Sequence, residues 1–251
     1  MHPIMFEVGN FRIFSYGFML ALGVAISLIL TVRVGRKEGV SEESILDLAI
    51  VTVLAGLLGA RLFYVLVYDW SYYQNNLLQI FDLRNEGLVW YGGLILGALA
   101  ALTYLRLKKL PMGKILDLFA PYVALGYAFG RIGCFLNGCC FGKPTTLPWG
   151  VIFPGLDLVA RHPTQLYSSF FALLLFLFLL RLYPRRRFDG QVILSYIIGY
   201  AVIRFIIEFF RENLIVWQGF TVSQVLAVGI ALIGVGIYRY LSKKSMRTGS
   251  I

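Results

Sequence analysis

Charged residues are scarce in this chain: Asp, Glu, Lys and Arg make up 14% of its 251 residues, and only 13 positions are acidic. An average soluble domain carries roughly a quarter, so water is excluded as the main solvent. No stretch reads as a soluble domain, a low-complexity linker or a solenoid period. That excludes repeat architectures and leaves one domain over residues 1–251 as the expected organisation. Residues 1–10 contain no Lys or Arg, so the basic leader of a cleaved signal peptide is missing and the first apolar run is read as a retained span. Thiols are confined to Cys134, Cys139 and Cys140, one short of a closed all-cysteine zinc site.

What the chain has instead is apolar length, with 59% of its residues hydrophobic. Several uncharged runs reach or approach the roughly 20 residues a helix needs to cross a hydrocarbon core, Ile13 to Val32 and Gly87 to Leu105 among them. Backbone polar groups in lipid must be paired internally, which points to helices. Seven spans are expected, at about 13–32, 46–68, 87–105, 115–133, 163–180, 190–210 and 214–238. The expected fold class is therefore all-α, a polytopic membrane helix bundle of seven transmembrane spans.

A net charge of +10 would suit nucleic acid, but the cations sit in short clusters at the ends of apolar runs. That is the distribution of topology signals, not of a binding stripe. Fifteen of the 23 Lys and Arg follow spans one, three, five and seven, whereas Arg12, Arg84, Lys143, Arg161 and Arg211 lie at the opposite ends. The positive-inside rule then puts the N-terminus outside and the C-terminus in the cytoplasm. Three cations remain, Arg61, Arg131 and Arg204, within or at the ends of spans.

Intramembrane arginines cost at least about 2.5 kcal/mol each and mark function by default. On the expected topology all three approach the outer leaflet, together with Tyr16, Tyr91-Gly92-Gly93, His162, Gln165 and Gln224. Structural readings stand beside the functional one. Arg204 and Glu208, four apart on a helix, can simply neutralise each other; Arg61 and Arg131 can snorkel; Tyr16 and Tyr91 can belong to an interfacial belt; His162 can hydrogen-bond its own loop. As a set they describe a pocket for an anionic headgroup, because Arg donates bidentately to phosphate. The segment GRIGCFLNGCCFG, residues 130–142, gathers Arg131, four glycines and all three cysteines. Its thiols admit three readings: a disulfide, small packing residues, or a metal site with His162 as fourth ligand.

That segment resembles the signature of the prolipoprotein diacylglyceryl transferases. The resemblance continues in SYGFML, GARLFYVLVY, WYGGLILG, RHPTQLYSS, IRFIIEFFRE and TVSQVLA, in order along the chain. It implies an enzyme of the bacterial cytoplasmic (inner) membrane, crossing it seven times, with two partners, phosphatidylglycerol and the signal peptide of a prolipoprotein. The diacylglyceryl group passes to the lipobox cysteine thiol, forming a thioether and releasing glycerol phosphate, and no cofactor or metal is implied. The catalytic set carried over is Arg131, Arg204, Glu208, Tyr16 and Tyr91. Arg61, Asn137, Gly92, Gly93, Gly142, His162 and Gln165 are expected to meet the lipid. Family members commonly have histidine at the position of Tyr91, asparagine at Cys134 and glutamate at Cys139. Tyr91, a poor base, is therefore expected to orient lipid and not to take a proton. The competing readings are a non-enzymatic lipid-binding or transport protein and a related transferase with another acceptor.

The charge pattern makes a prediction of its own. In a cysteine-free background, a single cysteine at position 187 will resist a membrane-impermeant maleimide applied to intact cells, and one at position 147 will react. Labelling of 187 from outside overturns the orientation.

Overall fold

The computed structural model describes residues 1–8, 11–75, 79–80, 87–213, 215–217 and 219–248; Arg84, counted above for orientation, lies outside them. Two compact units emerge, one made of residues 1–31 and 113–251, the other of residues 32–112. The chain runs through strands β1 (Ile4–Val8) and β2 (Phe11–Phe14), then helices α1 (Ser15–Lys37), α2 (Glu42–Tyr68), α3 (Trp70–Tyr73), α4 (Trp90–Leu107) and α5 (Met112–Asn137). It continues with β3 (Val151–Ile152), β4 (Ala160–Arg161), α6 (Thr164–Leu182), α7 (Gln191–Glu208), β5 (Ile215–Trp217), β6 (Phe220–Thr221) and α8 (Val222–Thr248). Among the described residues seven helices are long and apolar enough to cross a membrane, as the sequence predicts.

Two boundaries differ from expectation for local reasons. The first and last long helices continue past their apolar runs to Lys37 and Thr248, because basic side chains keep a helical backbone while their charges reach outward. The last helix starts at Val222 and not near 214, because β5 and β6 pair antiparallel around Gly219 at φ 88°. Its start is then fixed by a capping box: the Thr221 amide donates to Gln224 Oε1 at 3.0 Å, and the Gln224 amide donates to Thr221 Oγ1 at 3.3 Å.

The unit of residues 32–112 rests on a glycine crossing. A Cβ at Gly92 would fall on the Gly59 carbonyl, one at Gly93 would stand 3.0 Å from the Gly56 oxygen, and one at Gly97 would stand 3.2 Å from the Thr52 oxygen. The α2 and α4 backbones thus touch along one stripe, the small-residue packing that lipid-embedded helices favour. Toward the other end of the pair Tyr104 donates to Asp47 Oδ2 at 3.1 Å, and Ser41 caps α2 by accepting from the Ser44 amide.

The larger unit packs the N-terminal part of α1 on α5, with Gly23 against Phe129 and Ser27 Oγ donating to the Tyr122 carbonyl at 2.9 Å. Asp117 on α5, fully buried, accepts from the amides of Gly190 at 2.8 Å, Val192 at 2.9 Å and Ile193 at 2.8 Å. One carboxylate thereby caps the N-terminus of α7 from another helix, pairing the orphan donors of that turn.

Gly92→Ala tests the crossing. The added methyl meets a backbone oxygen that no rotamer change can move, so overpacking of roughly 1–3 kcal/mol is expected, read as a lowered thermal midpoint in detergent; an unchanged midpoint refutes the close approach.

Candidate functional site

The site grows from the C-terminal end of α5. Arg131 and Cys134 lie one turn apart there, with Nη1 of Arg131 at 3.9 Å from Cys134 Sγ. Nε and Nη2 of Arg131 are buried without a hydrogen-bond partner among the described residues. Gly133, between them, lets α1 approach: a Cβ there would sit 3.2 Å from the Tyr16 Cα and carbonyl oxygen. Tyr16 opens α1 with its side chain 42% exposed, within electrostatic range of Arg131 and all three cysteines. Asn137 ends the helix, exposed. The chain then reverses through Gly138 at φ 77° and Cys140 at φ 65°, and the Cys139 amide donates to the Cys134 carbonyl at 3.1 Å. The three sulfurs come within 4.8 Å of one another, all as free thiols.

Helix starts and ends elsewhere in the unit hold this turn. Thr164 Oγ1 donates to the Cys140 carbonyl at 2.9 Å, and Gln165 Nε2 to the Cys139 carbonyl at 2.6 Å. Gln165 is fully buried, and its Oε1 has no partner among the described residues. Gly142 donates to the His162 carbonyl at 2.9 Å, and Lys143 to the Phe210 carbonyl at 2.8 Å. A Cβ on Gly142 would strike the Phe210 oxygen and approach His162 Cβ to 2.8 Å, so only glycine passes there. His162 has the loop-bonding role weighed from sequence. Its Nδ1 lies 3.2 Å from the Tyr167 hydroxyl, which also accepts from Trp149 Nε1 at 2.8 Å. His162 is not in the thiol group. Phe153, 1% exposed, wedges between Phe135 and Phe141 beneath the loop.

From α7 come the remaining charges. Arg204 pairs with Glu208 at 3.1 Å and donates to Ser223 Oγ at 2.9 Å. The buried Glu208 also accepts through Oε1 from Asn213 Nδ2 at 2.6 Å and Thr221 Oγ1 at 2.9 Å. Neutralisation of Arg204 by Glu208 is thus real, and it is anchored on both sides. Arg211, taken from sequence as an ordinary cation at a span end, faces this group. Burial, then Arg204 and Arg131, hold its guanidinium below the ordinary value, and Cys140 lies within the same range. Its Nε is buried and has no partner among the described residues. Arg211 lies beyond the end of α7, in the turn where its amide donates to the Glu208 carbonyl at 3.1 Å, and no helical spacing signals it. The Cys140 thiol is lowered by hydrogen bonds from Cys134 and Cys139 and by Arg131 and Arg211.

Four expected residues belong to the other unit. Arg61 does not snorkel: it is 2% exposed because its own unit folds over it. Nε donates to the Ile80 carbonyl at 3.0 Å, Nη1 to Gly87 at 3.2 Å, and Nη2 to the Tyr73 hydroxyl at 3.0 Å and the Gln79 carbonyl at 3.2 Å. The guanidinium also lies over the Tyr73 and Tyr64 rings. Gly92 and Gly93 make the helix crossing, and Tyr91 is 45% exposed, edge-on to Trp90.

The model of the prolipoprotein diacylglyceryl transferases matches residues 3–240. Similar chains carrying the name phosphatidylglycerol–prolipoprotein diacylglyceryl transferase come from several bacteria. The Clostridium tetani protein is 42% identical over 85% of this chain and 86% of its own. The Finegoldia magna protein is 36% identical over 94% of both, and that of Clostridioides difficile 35% over 98% and 97%.

Arg61→Lys removes the planar fork that reaches several acceptors at once. A loss of roughly 2–4 kcal/mol is expected, since hydrogen bonds from a charged donor contribute about 1.5–3 kcal/mol each. Thermal unfolding measures it, and a midpoint equal to wild type removes the stapling role.

Proposed function

The chain belongs to the prolipoprotein diacylglyceryl transferase family, and from that premise we propose how the larger unit performs the transfer. The enzyme moves the diacylglyceryl group of phosphatidylglycerol to prolipoprotein. The proposed acceptor atom is the sulfur of the lipobox cysteine, and the proposed setting is the outer face of the bacterial cytoplasmic membrane, with the N-terminus outside. The family match runs through both compact units, which supports one transferase domain over the chain.

In the displacement, the acceptor sulfur bonds to the glyceryl carbon next to phosphate while that carbon's bond to oxygen breaks. The electron pair leaves with the oxygen, so a phosphodiester monoanion becomes a glycerol phosphate monoester with one more negative charge. The thiol proton departs to water or to the new phosphate. Charge therefore grows on the leaving phosphate, and preorganised donors aimed there lower the barrier most. One observation carries the assignment: Nε and Nη2 of Arg131 are buried side by side without partners among the described residues, as is Nε of Arg211. A buried donor pair of this geometry matches two oxygens of one phosphate. Arg204, fixed by Glu208 and Ser223, adds positive potential from the α7 face. The same cations favour the thiolate of an arriving cysteine. Tyr16, at the exposed start of α1, is assigned to the lipid glycerol, a reading its exposure supports. Gly142, His162 and Gln165 hold the turn that follows Arg131 through the contacts already described, and Asn137, exposed at the end of α5, is assigned to the lipid. Tyr91 belongs to the other unit and is given no step in this scheme; its poor basicity argues against proton removal.

Arg131→Lys is expected to lower transfer by about 10²–10³-fold, the scale of losing one oxyanion donor, because Lys keeps the charge but loses the fork. Arg204→Lys, which breaks a positioning pair, should cost about tenfold or more. Purified protein, phosphatidylglycerol and a lipobox peptide are incubated, and the thioether and released glycerol phosphate are measured by mass spectrometry. Wild-type turnover in Arg131→Lys with folded protein sinks the assignment.

A further inference from the structure

The transfer reaction gives no work to the three cysteines, yet the backbone goes out of its way to gather them. Cys140 occupies the left-handed region at φ 65°, a conformation uncommon for any residue with a Cβ and concentrated at functional sites. Gly138 takes the same region at φ 77°, where glycine is at ease. Together these two reversals fold residues 139 and 140 back over the end of α5. Thr164 and Gln165 then lock them there through the Cys140 and Cys139 carbonyls. The result is three sulfurs within 4.8 Å of one another, with Cys134 buried and the other two half-buried.

We propose that Cys134, Cys139 and Cys140 form a three-coordinate, all-thiolate site for a soft monovalent cation of the cuprous class. The spacing fits. Three sulfurs around one trigonal ion with bonds of roughly 2.3 Å stand about 4 Å apart, so closing the present group needs only side-chain adjustment. Ligand type fits as well, since thiolates select soft ions. Coordination number separates the candidates. Zinc takes four protein ligands in structural sites, but the ligating group here holds three sulfurs and no histidine or carboxylate among the described residues. His162, the fourth ligand weighed from sequence, turns its Nδ1 to Tyr167. Charge points the same way. Three thiolates and one monovalent ion carry −2, matched by the guanidiniums of Arg131, which points Nη1 at Cys134, and of Arg211, within electrostatic range of Cys140. A divalent ion would leave that environment with an excess positive charge.

The binding step is ligand exchange without oxidation: three S–H protons leave, three sulfur–metal bonds form, and the cation enters and stays in the +1 state. The site shares Arg131 and Arg211 with the proposed phosphate pocket, but its test reads metal binding alone and does not depend on turnover.

The chain has only three cysteines, so every thiolate–metal signal reports this cluster. Reduced full-length protein in detergent is titrated anaerobically with Cu(I) against the chromogenic chelator bicinchoninate, and X-ray absorption is recorded on the loaded wild type. One equivalent per chain with three sulfur neighbours is expected. Cys134→Ser, Cys139→Ser and Cys140→Ser should each weaken binding at least tenfold, and a tenfold excess of Zn²⁺ should leave the copper in place. The absorption measurement needs no variant, so poor folding of a serine mutant cannot shelter the proposal. Failure of the reduced wild type to compete with the chelator, a two-sulfur spectrum, a serine variant that binds like wild type, or displacement by zinc each overturns it.

Discussion

A guanidinium at membrane depth must be given partners, and that requirement organises this protein more than any apolar contact does. The chain meets it in three ways. Arg61 is satisfied by backbone carbonyls and a tyrosine of its own unit, so a loop is tied down by the charge it covers. Arg204 is satisfied by a buried acid, itself braced by Asn213 and Thr221. Arg131 keeps two donor atoms without a partner among the described residues. The first two arginines are structural solutions to the cost of burial. The third keeps unpaired donors among the described residues, which is what supports the phosphate-holding role proposed for it.

That deficit persists because the surroundings are over-determined. The turn after α5 is held by side chains from the start of α6 and by the end of α7 through the Phe210 carbonyl. Gly142 passes where no side chain fits, and Phe153 fills the space beneath. Each fastening uses a backbone group that would otherwise be orphaned in an apolar setting. Loop and helix ends are therefore parts of one network, with the Arg131 guanidinium beside it at Cys134.

The seven spans were legible because hydrophobic length alone reports them. Their ends were less so: the pairing of β5 with β6 depends on Gly219 and a capping box, which an apolar run from 214 onward conceals. The motif at 130–142 announced a site, and the Arg204–Glu208 spacing announced its ion pair. Arg211 reads as a topology charge because hydropathy counts cations at span ends without showing how the turn after α7 folds back. Gly92 and Gly93 looked like ligand-facing glycines, but what they admit is the α2 backbone, and a single chain's sequence does not say which neighbour a missing Cβ makes room for. The convergence of the thiols was illegible for a related reason, since the left-handed turn at Cys140 contradicts local propensity and is imposed by the contacts from α6.

Asp117 carries a consequence for how the protein is made. Its three amide donors begin 73 residues further along the chain. At ribosomal speeds of roughly 5–20 residues per second, α5 is synthesised on the order of 4–15 s before the turn it caps. During that interval the carboxylate has no α7 amides to accept from and must be hydrated or protonated instead. The fourth and sixth long apolar helices, α5 and α7, are thus made seconds apart and joined through one side chain.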